Sequence, residues 1–292
     1  MKRIPTRFES IATFVRRSLL LVATIAAVCG VSVSSALADD VFYTTSQKDG
    51  GTELSSIQVT GHNVTTTDIG PMGGGCVSLA LSAAGTLFSM CGDLFGTQHL
   101  ATVDPNTGHA HPFGVPITGL AVMATAFSPD GILYAVGDCN PAPVNFECNG
   151  AGAHPDPNYN SLYTVNTKTG AFTRVGATGA AQFFMDLKSD REGTLFGVTT
   201  TLNPSYTPAI LYRFDPATGA ATKVADLIGS SQLMGLAFGG NGKLYATDFV
   251  SRPGLYLIDP ETGFESAIAA PAFGFSSNLV RVGEQKQEQK VR

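Results

Sequence analysis

The sequence predicts an all-β chain: a five-bladed β-propeller of four-stranded antiparallel blades, closed into a ring by its C-terminal strand. Three observations predict it. One phrase recurs four times, as "LALSAAGTLFSMCG" (79–92), "TAFSPDGILYAVGD" (125–138), "DLKSDREGTLFGVTT" (186–200) and "LAFGGNGKLYATDF" (236–249). A second phrase follows the last three of them, as "LYTVNTKTGAFTRVG" (162–176), "LYRFDPATGAATKVADLIG" (211–229) and "LYLIDPETGFESAIA" (255–269). The strand inventory is also incomplete at both ends of the chain, and the two ends complement each other.

The first phrase is an apolar run, a four-residue turn ending in Gly85, Gly131, Gly193 or Gly242, and a Leu-Phe or Leu-Tyr run. Glycine supplies the positive φ that closes such turns. The spacings between these glycines are 46, 62 and 49 residues, and internal periods of that size mark propellers or solenoids. The two phrases together define four strands per repeat, A to D. B strands are expected near 41–45, 86–91, 132–137, 194–199 and 243–248, which makes five blades. The first repeat has B, C and D but lacks A. The last strand-like segment, "SSNLVRVG" (276–283), has no partner of its own, so it is expected to supply the missing A strand and close the ring. Closure removes open sheet edges.

Within the repeat, Met123, Met185 and Met234 share one register on strand A, with Val77 in the fourth copy. A methionine ring suits a soft metal or, more simply, flexible packing where blades converge. Asp104, Asn166, Asp215 and Asp259 open the C–D turns, where their side chains accept backbone N–H bonds. That role explains them without calcium.

Residues 1–38 read as a signal peptide. Lys2, Arg3, Arg7, Arg16 and Arg17 precede the apolar core "SLLLVATIAAVCGVSV", and Ala36-Leu37-Ala38 offers a cleavage site that leaves Asp39 first. A single propeller domain is expected over 39–283 and a polar, disordered tail over 284–292. The expected location is the periplasm or the extracellular space. Without the signal the chain carries about nine net negative charges. With no basic cluster and no second long apolar run, this composition excludes nucleic acid as a partner and a membrane span in the mature chain.

Four cysteines remain after cleavage, and four allow three pairings. Two local disulfides are expected in an oxidising compartment. Cys76 and Cys91 fall opposite each other in a hairpin folded about Ala83-Ala84. Cys139 and Cys148 would tie off a proline-rich loop.

Strand parity places the A–B and C–D turns on one end of the ring and the B–C and D–A connections on the other. The first set is short and uniform. The second varies, with a long insertion at 137–160 and another segment at 199–210. Binding is commonly built where loops vary over a fixed scaffold. Asn145, Phe146, His154 and Tyr159 of the insertion are the candidate ligand contacts. On the same face Asp93, Asp138 and Asp248 fall near the ends of B strands, and Asp186 lies on strand A. Four carboxylates near the axis are the candidate ligands of a divalent cation such as calcium. His109 and His111 alternate along an outermost strand and read as exposed edge residues. No nucleophile elbow, zinc-protease motif or phosphate loop is present.

The repeats "TAFSPDGILYAV…LYTVNTKTG" and "LAFGGNGKLYATD…LYLIDPETG" resemble exported β-propellers of the NHL, lactonase-like and SMP-30/gluconolactonase-like kind over most of residues 41–283. The resemblance to SMP-30-like lactonases implies a divalent cation on the axis held by carboxylates, one of them a glutamate, and an Asn. Here no Glu occupies strand A, and Asp186, Asp138 and Asn140 are the nearest stand-ins. A pyrroloquinoline-quinone enzyme of similar fold would use stacked tryptophan motifs, and this chain has no Trp. Two functions remain open. One is a non-catalytic module that binds a protein, a glycan or a small molecule through the variable face. The alternative is a metal-dependent hydrolase or lactonase with its cation at the channel mouth.

Overall fold

A computed structural model describes residues 39–48, 51–61, 63–94, 96–139, 160–180, 182–200, 208–227, 233–248, 254–269 and 276–282, the side chains of Asp138, Cys139, Ala269, Ser276 and Ser277 excepted. Every regular element among them is a strand. Twenty strands form five separate four-stranded sheets. Blade 1 orders β20 (Ser276–Arg281), β1 (Asp40–Lys48), β2 (Gly51–Thr60) and β3 (Asn63–Pro71). Blade 2 runs β4 (Cys76–Leu81), β5 (Leu87–Gly92), β6 (Thr97–Val103) and β7 (Ala110–Thr118). Blade 3 runs β8 (Leu120–Phe127), β9 (Leu133–Cys139), β10 (Ser161–Val165) and β11 (Phe172–Ala177). Blade 4 runs β12 (Phe183–Ser189), β13 (Leu195–Thr200), β14 (Ala209–Phe214) and β15 (Ala221–Leu227). Blade 5 runs β16 (Leu233–Phe238), β17 (Leu244–Asp248), β18 (Gly254–Ile258) and β19 (Glu265–Ala269).

All paired strands are antiparallel, as the repeat phrases predict. The C-terminal strand does supply the first blade's inner strand. Phe42 pairs with Arg281, Tyr43 with Val280 and Thr44 with Leu279. The Val282 N–H donates to the Val41 carbonyl at 2.7 Å. Cys76 and Cys91 pair directly across β4 and β5, with Cα atoms 4.0 Å apart, and are disulfide-bonded. The expected Cys139–Cys148 bridge lies outside the described residues.

The apolar core is divided among the seams. Leu79, Leu87 and Ala101 join Tyr43 and Leu54 between blades 1 and 2. Met90, Leu100, Leu133 and Tyr163 fill the next seam, and Leu162, Phe184, Leu187 and Phe214 the one after. Between blades 5 and 1, Phe42, Ile57, Tyr245 and Leu279 pack together, the Phe42 and Tyr245 ring centroids 5.0 Å apart. The alternation of large apolar residues along B and C strands is therefore read by both neighbours of each blade, since both faces of each sheet are covered.

At the rim the C–D turns link successive blades. In blade 4, Asp215 Oδ1 accepts from Ala217 N at 2.9 Å and Oδ2 from the Thr218 hydroxyl at 2.7 Å. Gly219 follows at φ +82°, and a Cβ there would stand 2.6 Å from the Gly176 carbonyl oxygen of blade 3. The same seam is hydrogen-bonded from Ala221 N to Thr178 O at 2.8 Å. Val115 of blade 2 donates to Thr169 in the blade 3 turn at 2.8 Å, and Ala110 of blade 2 to Met72 of blade 1 at 3.2 Å. The repeated Asp-Pro-X-Thr-Gly thus does two jobs: it closes its own hairpin and brings backbone against the preceding blade. Asn166 opens the blade 3 turn in the same way, its Oδ1 accepting from Lys168 N and Thr169 N at 2.9 and 3.1 Å.

Candidate functional site

The five inner strands β4, β8, β12, β16 and β20 meet at the axis. Each has one register shift against its neighbour, and this bulge tightens the local twist where the strands converge. From the variable face inward, the first layer is apolar. Met123 and Met185 are buried in one cluster with Val77, Met234 and Leu94. The methionine register of the sequence is thus a packing layer, filled by an unbranched side chain that adapts to an irregular centre.

Below it lies a polar layer. Asp186, fully buried, accepts at Oδ1 from Leu187 N at 2.9 Å and at Oδ2 from Leu236 N at 2.8 Å and Leu279 N at 3.3 Å. Lys188, two residues along β12 and so on the same face of the strand, forms an ion pair with Asp186 Oδ1. Its Nζ also donates to Leu79 O at 3.2 Å, Thr125 O at 3.3 Å and Leu187 O at 2.9 Å. Leu279, Leu79, Thr125 and Leu236 belong to blades 1, 2, 3 and 5. One ion pair on blade 4 therefore binds the backbone of every other blade. With its amide turned so that the oxygen faces the Ser78 N–H, the orientation that satisfies both ends, Asn278 adds a second link, donating to Met123 O at 3.2 Å and accepting from Ser78 N at 2.9 Å. Burial pushes the Asp186 carboxyl up to about 6 against the opposing pull of Lys188 and the N–H donors. Burial likewise pulls the Lys188 ammonium down, against the pull of Asp186. Desolvation is the larger influence on both, and only saturation by fixed donors and acceptors makes such a pair tolerable.

Beyond Lys188 the axis widens into a funnel of about 660 Å³ on the face of the A–B turns. Its floor carries Ala80, Ala126, Ala237 and Val280 around the Lys188 stem. Leu81, Phe127 and Phe238 stand above them, half-buried, and the blade 4 turn contributes Asp190, Arg191 and Glu192. At the rim, Arg191 Nη2 donates to Gly240 O at 2.7 Å. Arg281 Nε donates to Asp40 Oδ1 at 2.7 Å, and Gly240 N donates to the same oxygen at 2.9 Å.

The sequence-selected residues fall as follows. Asp186 is on the axis, but both its oxygens are held by N–H donors, whereas a hard cation requires oxygen donors around it. Asp186 as placed does not fit a cation ligand. Asp93 is exposed just beyond β5, and Asp248 is buried at the end of β17. The side chain of Asp138 lies outside the described residues, as do Asn140, Asn145, Phe146, His154 and Tyr159. Among the described residues no group of three or more His, Cys, Asp or Glu gathers to hold a metal. His109 and His111 stack edge to face at 4.6 Å beside the blade 2 turn. Sequence reasoning missed Lys188, Arg191, Arg281 and Asp40. For Lys188 a signal existed: aligned inner strands carry Ala80, Ala126, Ala237 and Val280 where blade 4 carries a lysine.

No protein-family model matches the chain, and no curated protein matches it in sequence. Solved structures superpose on it. A structural-genomics protein of unknown function from Bacteroides thetaiotaomicron superposes with a TM-score of 0.54 at 13% identity, over 85% of this chain and 67% of that one. A gluconolactonase from Xanthomonas campestris gives 0.49 at 13% identity, over 84% and 76%. TolB from Acinetobacter baumannii gives 0.49 at 13% identity, over 86% and 69%. The chain is a five-bladed β-propeller, and likeness at this identity extends to the fold alone.

Proposed function

We propose that the chain is an exported, non-catalytic binding module that recognises a protein or glycan through the variable face, with Asn145, Phe146, His154 and Tyr159 as contacts. The observation that carries this reading is the engagement of Asp186. The one axial carboxylate among the described inner strands serves the ring, and a methionine layer stands between it and the variable face. A lactonase whose cation sat on Asp186 would need those oxygens open to it. The Cys76–Cys91 disulfide is consistent with export, and no described helix is long and apolar enough to cross a membrane.

Thermal melting with calcium or zinc against chelator tests the reading, because a specific native-state ligand raises the melting temperature. An unchanged melt is expected. A rise of several degrees, abolished by Asp93→Asn or Asp248→Asn, favours the hydrolase instead. A glycan array probed with the full chain, and with a variant whose residues 140–147 are replaced by a short Gly-Ser link, tests the loop. Binding lost in the variant alone supports it.

A further inference from the structure

The funnel on the A–B turn face lies at the opposite end of the axis from the variable loops, and its lining mixes apolar and polar groups. It exists because three floor positions are alanine and because the Lys188 ammonium is drawn down to Asp186 rather than projecting upward. Its volume of about 660 Å³ is that of a small-molecule site. Leu81, Phe127 and Pro129 of blades 2 and 3 and Phe238 of blade 5 supply its apolar lining, beside the hydroxyls of Ser82 and Ser128. The wall from blade 4 offers Asp190, Arg191 and Glu192.

Charge selects the ligand. Lys188 is neutralised by Asp186, and Arg281 by Asp40. Arg191 stands between Asp190 and Glu192 in sequence. No single sign dominates the mouth, so neither an organic anion nor a cation gains from it. What the wall provides is donors and acceptors side by side, on a turn whose position is fixed. Asp190 Oδ1 accepts from Thr194 N at 2.7 Å, and Arg191 is tied to the Gly240 carbonyl.

We propose that this funnel binds a small neutral polyhydroxylated ligand of the mono- or disaccharide class. The C–H face of the ring lies toward Leu81, Phe127 and Phe238, and its hydroxyls bridge the carboxylates and guanidinium of the blade 4 turn. A hydroxyl both donates and accepts, which matches the alternating acid and base of the blade 4 turn. The apolar face of a sugar ring matches Leu81, Phe127 and Phe238. This site is independent of the variable loops.

The test is calorimetric titration of the full chain with glucose, galactose and maltose, alongside gluconate and glucosamine as charged controls. Saturable binding of at least one neutral sugar is expected, with the charged analogues weaker. Arg191→Ala and Glu192→Ala, both on an exposed turn, should each weaken it by about tenfold. Ala83→Trp, on the exposed rim of the blade 2 turn, should block it without lowering the melting temperature. The variant with residues 140–147 replaced should bind the sugar as the parent does, which separates this site from the one on the opposite face. No heat with any neutral sugar overturns the proposal. So does binding indifferent to Arg191→Ala and Ala83→Trp, or a charged analogue binding more tightly than the neutral sugars.

Discussion

The rim of this propeller is built in two ways. At the seams joining blades 1 to 2, 2 to 3 and 3 to 4, a C–D turn donates to or accepts from the preceding blade, and no side chain fits between them. The Gly263 turn of blade 5 lies as closely against blade 4, but on the side chains of Ala225 and Leu227. The seam between blades 5 and 1 differs. The blade 1 turn is a tight Thr60-Gly61 hairpin without the Asp-Pro-X-Thr-Gly pattern, and a Cβ on Gly61 would meet none of the described residues within 4 Å. This seam is held further in, by Gly240 N of blade 5 on Asp40 of blade 1, an oxygen that also takes Arg281 Nε within blade 1, and by the Phe42–Tyr245 ring pair. Four seams have a rim contact of this kind, and the chain crosses all five, passing from β19 of blade 5 into β20 of blade 1. The fifth lacks the pattern and relies on core packing and one buried carboxylate, and the blade it joins is itself closed by pairing β20 with β1 from the other end of the chain. The axial ion pair serves both kinds of seam.

The largest expected effect comes from breaking what the two kinds share. Asp186→Ala leaves a buried ammonium uncompensated and should cost about 3–5 kcal/mol. Urea denaturation measures it. Asp186→Leu combined with Lys188→Met should recover most of the loss, because an apolar pair of similar volume removes both desolvation costs. If the double variant is as unstable as the single, the hydrogen bonds to the five blades matter more than the charge.

Next comes the closing seam alone. Asp40→Ala removes the acceptor of Arg281 and Gly240 N and should cost about 1.5–3 kcal/mol, the range for hydrogen bonds to a charged group. Hydrogen exchange should accelerate in β1 and β20 before β8 and β12. Uniform acceleration around the ring would show that the closing seam is no weaker than the others.

The rim contact itself is tested by two alanines. Gly219→Ala must strain a φ of +82° and displace the Gly176 carbonyl, and should cost about 3 kcal/mol. Gly61→Ala bears only the backbone penalty, since its φ is +59° and its surroundings are open, and should cost about 1 kcal/mol. Equal losses in thermal melts would remove the distinction between the two kinds of rim.

The smallest effect is on acid stability. Hydrogen bonds within the turns hold the Asp104, Asp215 and Asp259 carboxyls below their usual value. The main donors are Asn106 N, the Thr218 hydroxyl and Glu261 N, respectively. A carboxyl lower in the folded than in the unfolded state stabilises above the unfolded pKa, and this is lost as pH falls through the folded value. Melting temperature should therefore drop below about pH 4. Replacing all three by Asn should shrink that drop while keeping the turns, because Asn166 already closes its turn without a charge. An unchanged pH profile would place the acid sensitivity elsewhere.

The sequence by itself determined the number of blades, the ring closure by the segment ending at Val282, the turn chemistry from Asp104 to Gly263, and the Cys76–Cys91 pair. Each is either local or periodic: a turn needs its own four or five residues, and a repeat displays its strands in register. Even the methionine layer was legible, because it recurs at one position of the repeat. Only the tertiary structure decided the role of Asp186 and the position of the funnel. Both depend on the axis, where Leu79, Thr125, Lys188, Leu236 and Leu279 meet across some two hundred residues of chain. An aspartate on an inner strand has the same local sequence whether it faces a cation or an ammonium. What distinguishes the cases is which backbone donors the closed ring brings around it, and a ring's centre exists only once all five blades are in place.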